Sequence, residues 1–165
     1  MSVIGIDSTK VRTSAEGPEF RVGTRGCTED SSGVTREFVY VVSAGGVTGA
    51  GYVCLVDGSS FDAVMATTTE SAPGTGAQKM VGLGMAAIAA GGYGWLQVYG
   101  PCSVRVAASA AAYTTLNSTA TSGQLDDDAT AGAEVVEGLA LDVAAGGSAA
   151  TVAGFANYPH VGRTL

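Results

Sequence analysis

Cys102 and His160 are the residues of this 165-residue chain that fit nucleophilic catalysis most readily, since it holds three cysteines and one histidine. A thiolate nucleophile needs a base within hydrogen-bond reach, and the imidazole would be that base. Their surroundings point elsewhere. Cys102 sits in "CSVRV" beside Val104 and Val106, where a cysteine behaves as a small hydrophobe. His160 lies near the end of the sequence in "NYPHVGRTL", where an exposed side chain is expected. The chain is therefore expected not to be an enzyme.

Two other motifs could carry chemistry. "QLDDDAT" holds Asp126, Asp127 and Asp128. Consecutive carboxylates point in different directions along an extended chain, whereas calcium loops alternate their ligands and close on a glutamate. A solvated acidic turn is the expectation, with no metal. "GLGMAA", Gly82 to Ala87, fits the dinucleotide fingerprint G-x-G-x-x-A. That fingerprint works only where a strand leads into a helix whose N-terminus faces a pyrophosphate. Here "IAAGGYGW" follows and breaks any helix early, and no acidic residue stands about 20 positions on to hold a ribose. These glycines are read as turn and close-packing residues, and no cofactor is expected.

The segment Met80–Val104 is uncharged and long enough to span a bilayer. It also contains Gly82, Gly84, Gly91, Gly92, Gly94, Gly100 and Pro101, which would break a spanning helix, so no membrane segment is expected. Charged residues make up only 14% of the chain and hydrophobic ones 46%. Soluble domains usually carry about 25% charged residues, so this surface is read as covered either by Ser, Thr, Gly and Ala or, in part, by another protein. The net charge of −7 disfavours phosphate backbones, and no nucleic-acid partner is expected. Five of the eight basic residues, Lys10, Arg12, Arg21, Arg25 and Arg36, fall in the first 36 positions, while the part after Val106 is acidic. Cys27, Cys54 and Cys102 lack paired spacing, and "MSVIGIDSTKVRTS" lacks an apolar leader core. Both features predict folding in a reducing cytoplasm without disulfides. On that reading the sequon at Asn117 carries no meaning.

The elements that must position these residues read as β nearly throughout. "REFVYVV" alternates Phe38, Tyr40 and Val42 against Glu37, Val39 and Val41. "GYVCLVDGSSFDAVMATTT" reads as two strands about an Asp57-Gly58 turn, and "ESAPGTGAQ" as a loop. "MVGLGMAAI" and "YGWLQVYG" form a hairpin through "AAGG", after which Gly100-Pro101 is expected to redirect the chain into "CSVRV". "EVVEGLALDV" and "AATVAGFANYP" form a last hairpin closing near Pro159. Val106–Leu116 is alanine-rich but short, and reads equally as a helix, a turn or an irregular crossing. The expected architecture is all-β: a small β-barrel or sandwich of about eight to ten short antiparallel strands, residues 18–165. Residues 1–17 are expected to be an extended N-terminal arm outside the core. Tyr93, Trp95 and Tyr99 are candidates for a subunit interface if they face outward, and for the core if inward.

The order of "PEFRVGTRG", "TREFVYVVSAGGVTGAGYVCLVD", "VGLGMAAIAAGGYGWLQVYGPCSVRV", "TLNSTATSGQLDDD" and "EVVEGLALDVAAGGSAATV" resembles the small capsid decoration proteins of tailed bacteriophages. It is most similar to those of marine phages. The likeness runs over about residues 18–158 as an ordered pattern, with "AAGGYGWLQVYG" its strongest piece, and residues 1–17 match no part of it. The resemblance implies a virion protein on the outer capsid surface. Such a protein would stabilise the head by bridging subunits of the major capsid protein, with no catalytic residues. It also implies a homo-oligomer, a trimer first, with a dimer or monomer open. On this reading the arm lies along the capsid, with Val3, Ile4 and Ile6 adding apolar strand contacts. Lys10, Arg12, Arg21 and Arg25 would supply charge pairs. The competing reading is a tail or fibre component, or a carbohydrate-binding β-domain using Tyr93, Trp95 and Tyr99 as a sugar platform.

Overall fold

The computed structural model describes residues 2–75, 79–128 and 130–164. Its elements are β1 (Ser2–Ile4), β2 (Arg25–Glu29), β3 (Thr35–Ser43), β4 (Val53–Val56), β5 (Asp62–Met65), a one-turn helix α1 (Thr68–Ser71), β6 (Met80–Gly84), β7 (Gly92–Val106), β8 (Leu116–Ser118), β9 (Leu125–Asp126), β10 (Glu134–Leu141) and β11 (Ala150–Thr164). The all-β class read from the sequence is what the structure has. The strands belong to one hydrogen-bonded sheet that folds back on itself through β7.

The pairings trace two closed circuits. The first runs β3, β5, β4, β6 and β7, and returns to β3. The second runs β7, β11, β10, β8 and β9, and returns to β7. Some closures are thin: β9 meets β7 only at Leu125↔Val106, and β6 meets β7 at two pairs. The result is not a clean barrel. Three of the pairings, β1–β2, β3–β5 and β7–β9, are parallel, so the expectation of a purely antiparallel sheet is corrected.

Alternation along the strands sorts the core into three clusters. Val39 and Val41 of β3 join Cys54, Val56, Ala63, Leu96 and Val98 inside the first circuit. Val53, Leu55, Val81 and Leu83 point the other way and meet Val104, Val106, Leu116, Leu125, Leu139 and Leu141 of the second circuit. Phe38, Tyr40 and Trp95 occupy the outer face of β3 and β7. The period-2 pattern of "REFVYVV" thus has both faces buried, one in each of two clusters.

Two sequence expectations about prolines are corrected. Gly100-Pro101 does not end a strand, because β7 runs through it for 15 residues. Gly100 takes φ +95, and a Cβ there would stand 2.5 Å from the Thr35 carbonyl oxygen. Pro101 has no N–H to lose, and its carbonyl accepts from Gln97 Nε2 at 2.8 Å and Arg36 Nε at 3.1 Å. Side chains therefore bind the backbone where the strand changes partner from β3 to β11. Pro159 likewise does not close the last hairpin. Between Glu137↔His160 and Leu139↔Ala156, one residue of β10 faces three of β11, a bulge that carries Tyr158 at φ +47. The bulge switches the buried side of β11 from Ala156 to Val161.

The N-terminal segment is also corrected: it folds back onto the domain. Backbone pairing joins Ser2, Val3 and Ile4 of β1 to Arg25, Gly26 and Cys27. Arg12 and Tyr93 exchange two backbone hydrogen bonds, of 2.9 and 2.8 Å. Ile6 and Phe20 pack on the Trp95 cluster. The physical reason is the exposed aromatic face that β3 and β7 would otherwise present to water. Val106–Leu116 crosses without a helix, and the sequence loop at Glu70 begins inside α1.

Loops between strands are closed by carboxylates. Asp57 Oδ1 accepts from the amides of Ser59 and Ser60 at 2.8 and 2.9 Å and from both hydroxyls. These bonds hold its carboxyl far below the usual aspartate range. Hydrogen bonds also lower the carboxyls of Asp7, from the Thr9 hydroxyl and amide, of Glu16, from the Thr13 amide and hydroxyl, and of Asp30, from the amides of Val34 and Ser32.

Two outcomes follow for stability. Gly138 has φ +77, and a Cβ there would lie 2.6 Å from the Asn157 carbonyl oxygen. Gly138→Ala is expected to cost about 3 kcal/mol in urea unfolding, while Gly146→Ala, with nothing within 4 Å, stays within about 0.5 kcal/mol. The four depressed carboxyls stabilise the fold above their unfolded values of 3.8 for aspartate and 4.5 for glutamate. That contribution is lost as pH falls through their lower folded values, so the urea midpoint should hold near neutrality and decline below about pH 4.

Candidate functional site

The catalytic pairing weighed from the sequence is not assembled. Cys102 pairs across the ladder with Gly154, and His160 lies six residues further along the same strand. At the rise of a β-strand that separation is on the order of 15–20 Å. Cys102 packs against the second circuit's core, and burial, then the charge of Asp142, pushes its thiol up to about 12. Cys54 is fully buried, and burial alone raises it to about 12. His160 stands half-exposed with Nε2 3.5 Å from Glu137 Oε2.

The other motifs resolve in the same manner. Gly82 and Gly84 lie in β6, where a Cβ on Gly82 would come 2.8 Å from Leu96 Cβ; no helix follows. Gly82 permits close contact between β6 and β7, and Gly84 lets β6 approach the Val47–Tyr52 segment, where a Cβ would lie 2.6 Å from the Gly49 carbonyl oxygen. In the acidic run, Asp126 Oδ1 accepts from the Asp127 amide at 2.9 Å, and burial raises the Asp126 carboxyl. Among the described residues no three histidine, cysteine or carboxylate side chains converge as a metal site. Ala129, next to this run, lies outside the described residues. No described helix is long and apolar enough to cross a membrane.

The candidate contact residues divide. Val3 and Ile4 are engaged through backbone pairing in β1, and the Ile6 side chain lies over Gly26 and beside Trp95. Lys10 bonds Glu19 at 2.9 Å, and Arg12 bonds Glu16 at 3.4 Å. Arg12 Nε is buried without a hydrogen-bond partner among the described residues. Arg21 is exposed, and the half-buried Arg25 turns its guanidinium to the Met80 sulfur.

The aromatic candidates also separate. Trp95 is 2% exposed and is core, packed edge-on to Tyr40 at 4.9 Å with Phe20 at 5.3 Å. Tyr93 is half-buried and stacks on Tyr40. Only Tyr99 reaches an open patch, where it meets Phe155 at 5.6 Å and Tyr158 at 5.3 Å. Phe155 is 39% exposed and Tyr158 47%. Sequence reasoning missed these two. Their signal was "GFANYP", where an outward Phe and a Tyr before proline mark a bulge as readily as a hairpin end.

No protein-family model matches the chain, and no curated protein matches its sequence.

The thiol environments make a direct prediction. In native protein at pH 8, iodoacetamide should alkylate Cys54 and Cys102 about 10³-fold more slowly than an unperturbed thiol, with full labelling in urea. Peptide mass mapping reads the difference.

Proposed function

We propose that this chain is a structural virion protein that binds the outer surface of an icosahedral phage capsid and stabilises the shell. The observation that carries the reading is the ordered resemblance of residues 18–158 to capsid decoration proteins. The geometry is compatible with it. Cys54 is buried in the core and Cys102 packs against it, and the weakly charged body presents exposed apolar side chains at Val11 and Val143. Such a protein needs firm folding and a docking face, and it does no chemistry.

Shell stabilisation then follows from mass action. A protein that binds only the assembled lattice raises the cost of separating its subunits. Bridging two or more subunits of the major capsid protein adds effective concentration, so modest contacts hold firmly. Lattice positions are set by local symmetry axes, and the resemblance to decoration proteins points first to a homotrimer, with a dimer or monomer as the alternatives. The N-terminal segment contributes as a docked strap: Ile6, Lys10 and Arg12 are occupied within the chain, which leaves Val11 and Arg21 on its outer surface for capsid contact.

Copy number tests the reading. Mass spectrometry of purified particles is expected to give this chain in a ratio to the main shell protein of one-to-one, or a simple fraction set by symmetry. A handful of copies per particle, or none, overturns it.

A further inference from the structure

Tyr158 poses a physical puzzle that the fold does not explain. Its φ of +47 is a backbone conformation that favours glycine and is a true outlier for a bulky residue. The bulge needs that conformation to turn β11, and the core gains little from a tyrosine there, because the side chain is 47% exposed. Phe61, Ser109 and Tyr113 also have positive φ, so the conformation alone marks no site; what sets Tyr158 apart is the surface aromatic pair it makes with Tyr99.

The neighbours suggest what that pair does. Tyr158 stacks on Tyr99, at 28° and 5.3 Å, so the ring is supported on one side while the residue remains 47% exposed. Phe155 stands edge-on to Tyr99 at 80° and forms the border. Tyr113 is more exposed, at 79%, but is in no aromatic pair among the described residues. Polar groups surround the patch. Glu37 on β3 and Asn157 on β11 are the two ladder partners of Tyr99, one on either side. The Tyr158 hydroxyl is raised by burial first and then by the hydrogen bond and charge of Glu37, with Arg25 opposing.

An exposed aromatic pair with an acceptor carboxylate and an amide on the two neighbouring strands matches one ligand class well. A hexose ring has an apolar C–H face that stacks on an aromatic and an edge of hydroxyls that bonds to such a rim. The Glu37 carboxylate and the chain's net charge of −7 disfavour an anionic sugar. The geometry points to a platform for neutral hexose units, formed by Tyr158 on Tyr99, bordered by Phe155, with Glu37 and Asn157 as the hydrogen-bonding rim. This site goes beyond shell docking and stands or falls independently of it.

The test probes the full chain on an array of neutral and sialylated oligosaccharides, with each bound glycan then measured by calorimetry. Wild-type protein is expected to bind neutral hexose oligomers. Tyr158→Gly suits the backbone at φ +47, so the fold is kept while the platform is removed. Its Kd is expected to weaken at least tenfold, with Glu37→Gln weakened less and Tyr113→Ala unchanged. An empty array, binding confined to sialylated glycans, or binding that survives Tyr158→Gly overturns the proposal. So does an empty array accompanied by loss of Tyr158→Gly protein from particles, which would make the patch a protein contact.

Discussion

The ladder on both edges of β7 is the constraint on which the rest of the structure depends. This strand gives its first half to β3 and β6 and its second half to β11 and β9. Its even-numbered side chains serve both interiors in turn: Leu96 and Val98 fill the first, Val104 and Val106 the second. A slip of one residue would turn all four outward, and both cores would be lost together. The kink at Gly100 lets the strand change partners without that slip, and Gln97 and Arg36 secure the Pro101 carbonyl.

The aromatic face of β3 and β7 shows the same economy on the outside. Phe38, Tyr40 and Trp95 would be an exposed apolar ledge if the chain began at β2. The first 20 residues cover it with Ile6 and Phe20 and fix themselves by the Arg12–Tyr93 bridge and by surface ion pairs. Exposed ion pairs of this sort contribute little each, so apolar cover and backbone pairing hold the strap.

Much of this was legible in the residues. The alternation in "REFVYVV", the Asp57 turn and the pairing of the last two strands each appear where local pattern placed them, although the last strand runs on past Pro159. What local pattern could not give was which strands meet. A Gly-Pro step and an Asn-Tyr-Pro step look like chain ends until a partner strand supplies the bonds that carry the ladder past them. The strap was misread for a related reason, since polar residues dominate it and the ledge it covers is formed by residues far along the chain. Trp95 and Tyr99 share a face by alternation, yet one is covered and the other open, because the strap reaches only the first. At the candidate patch, Tyr99 was found from its own strand. Phe155 and Tyr158 needed the bulge, which depends on a glycine in the opposite strand.

The two circuits also differ in when they can close. Every strand of the first lies between Thr35 and Val106, so most of its pairings are available once the first two-thirds of the chain has left the ribosome. The second waits for β11, which begins at Ala150, well after β7 ends at Val106. Until then the far half of β7 carries unpaired backbone along its β11 edge, a template for pairing with any other nascent chain. Synthesis of this protein therefore has a defined interval of exposure, opening when β7 emerges and ending when β11 does.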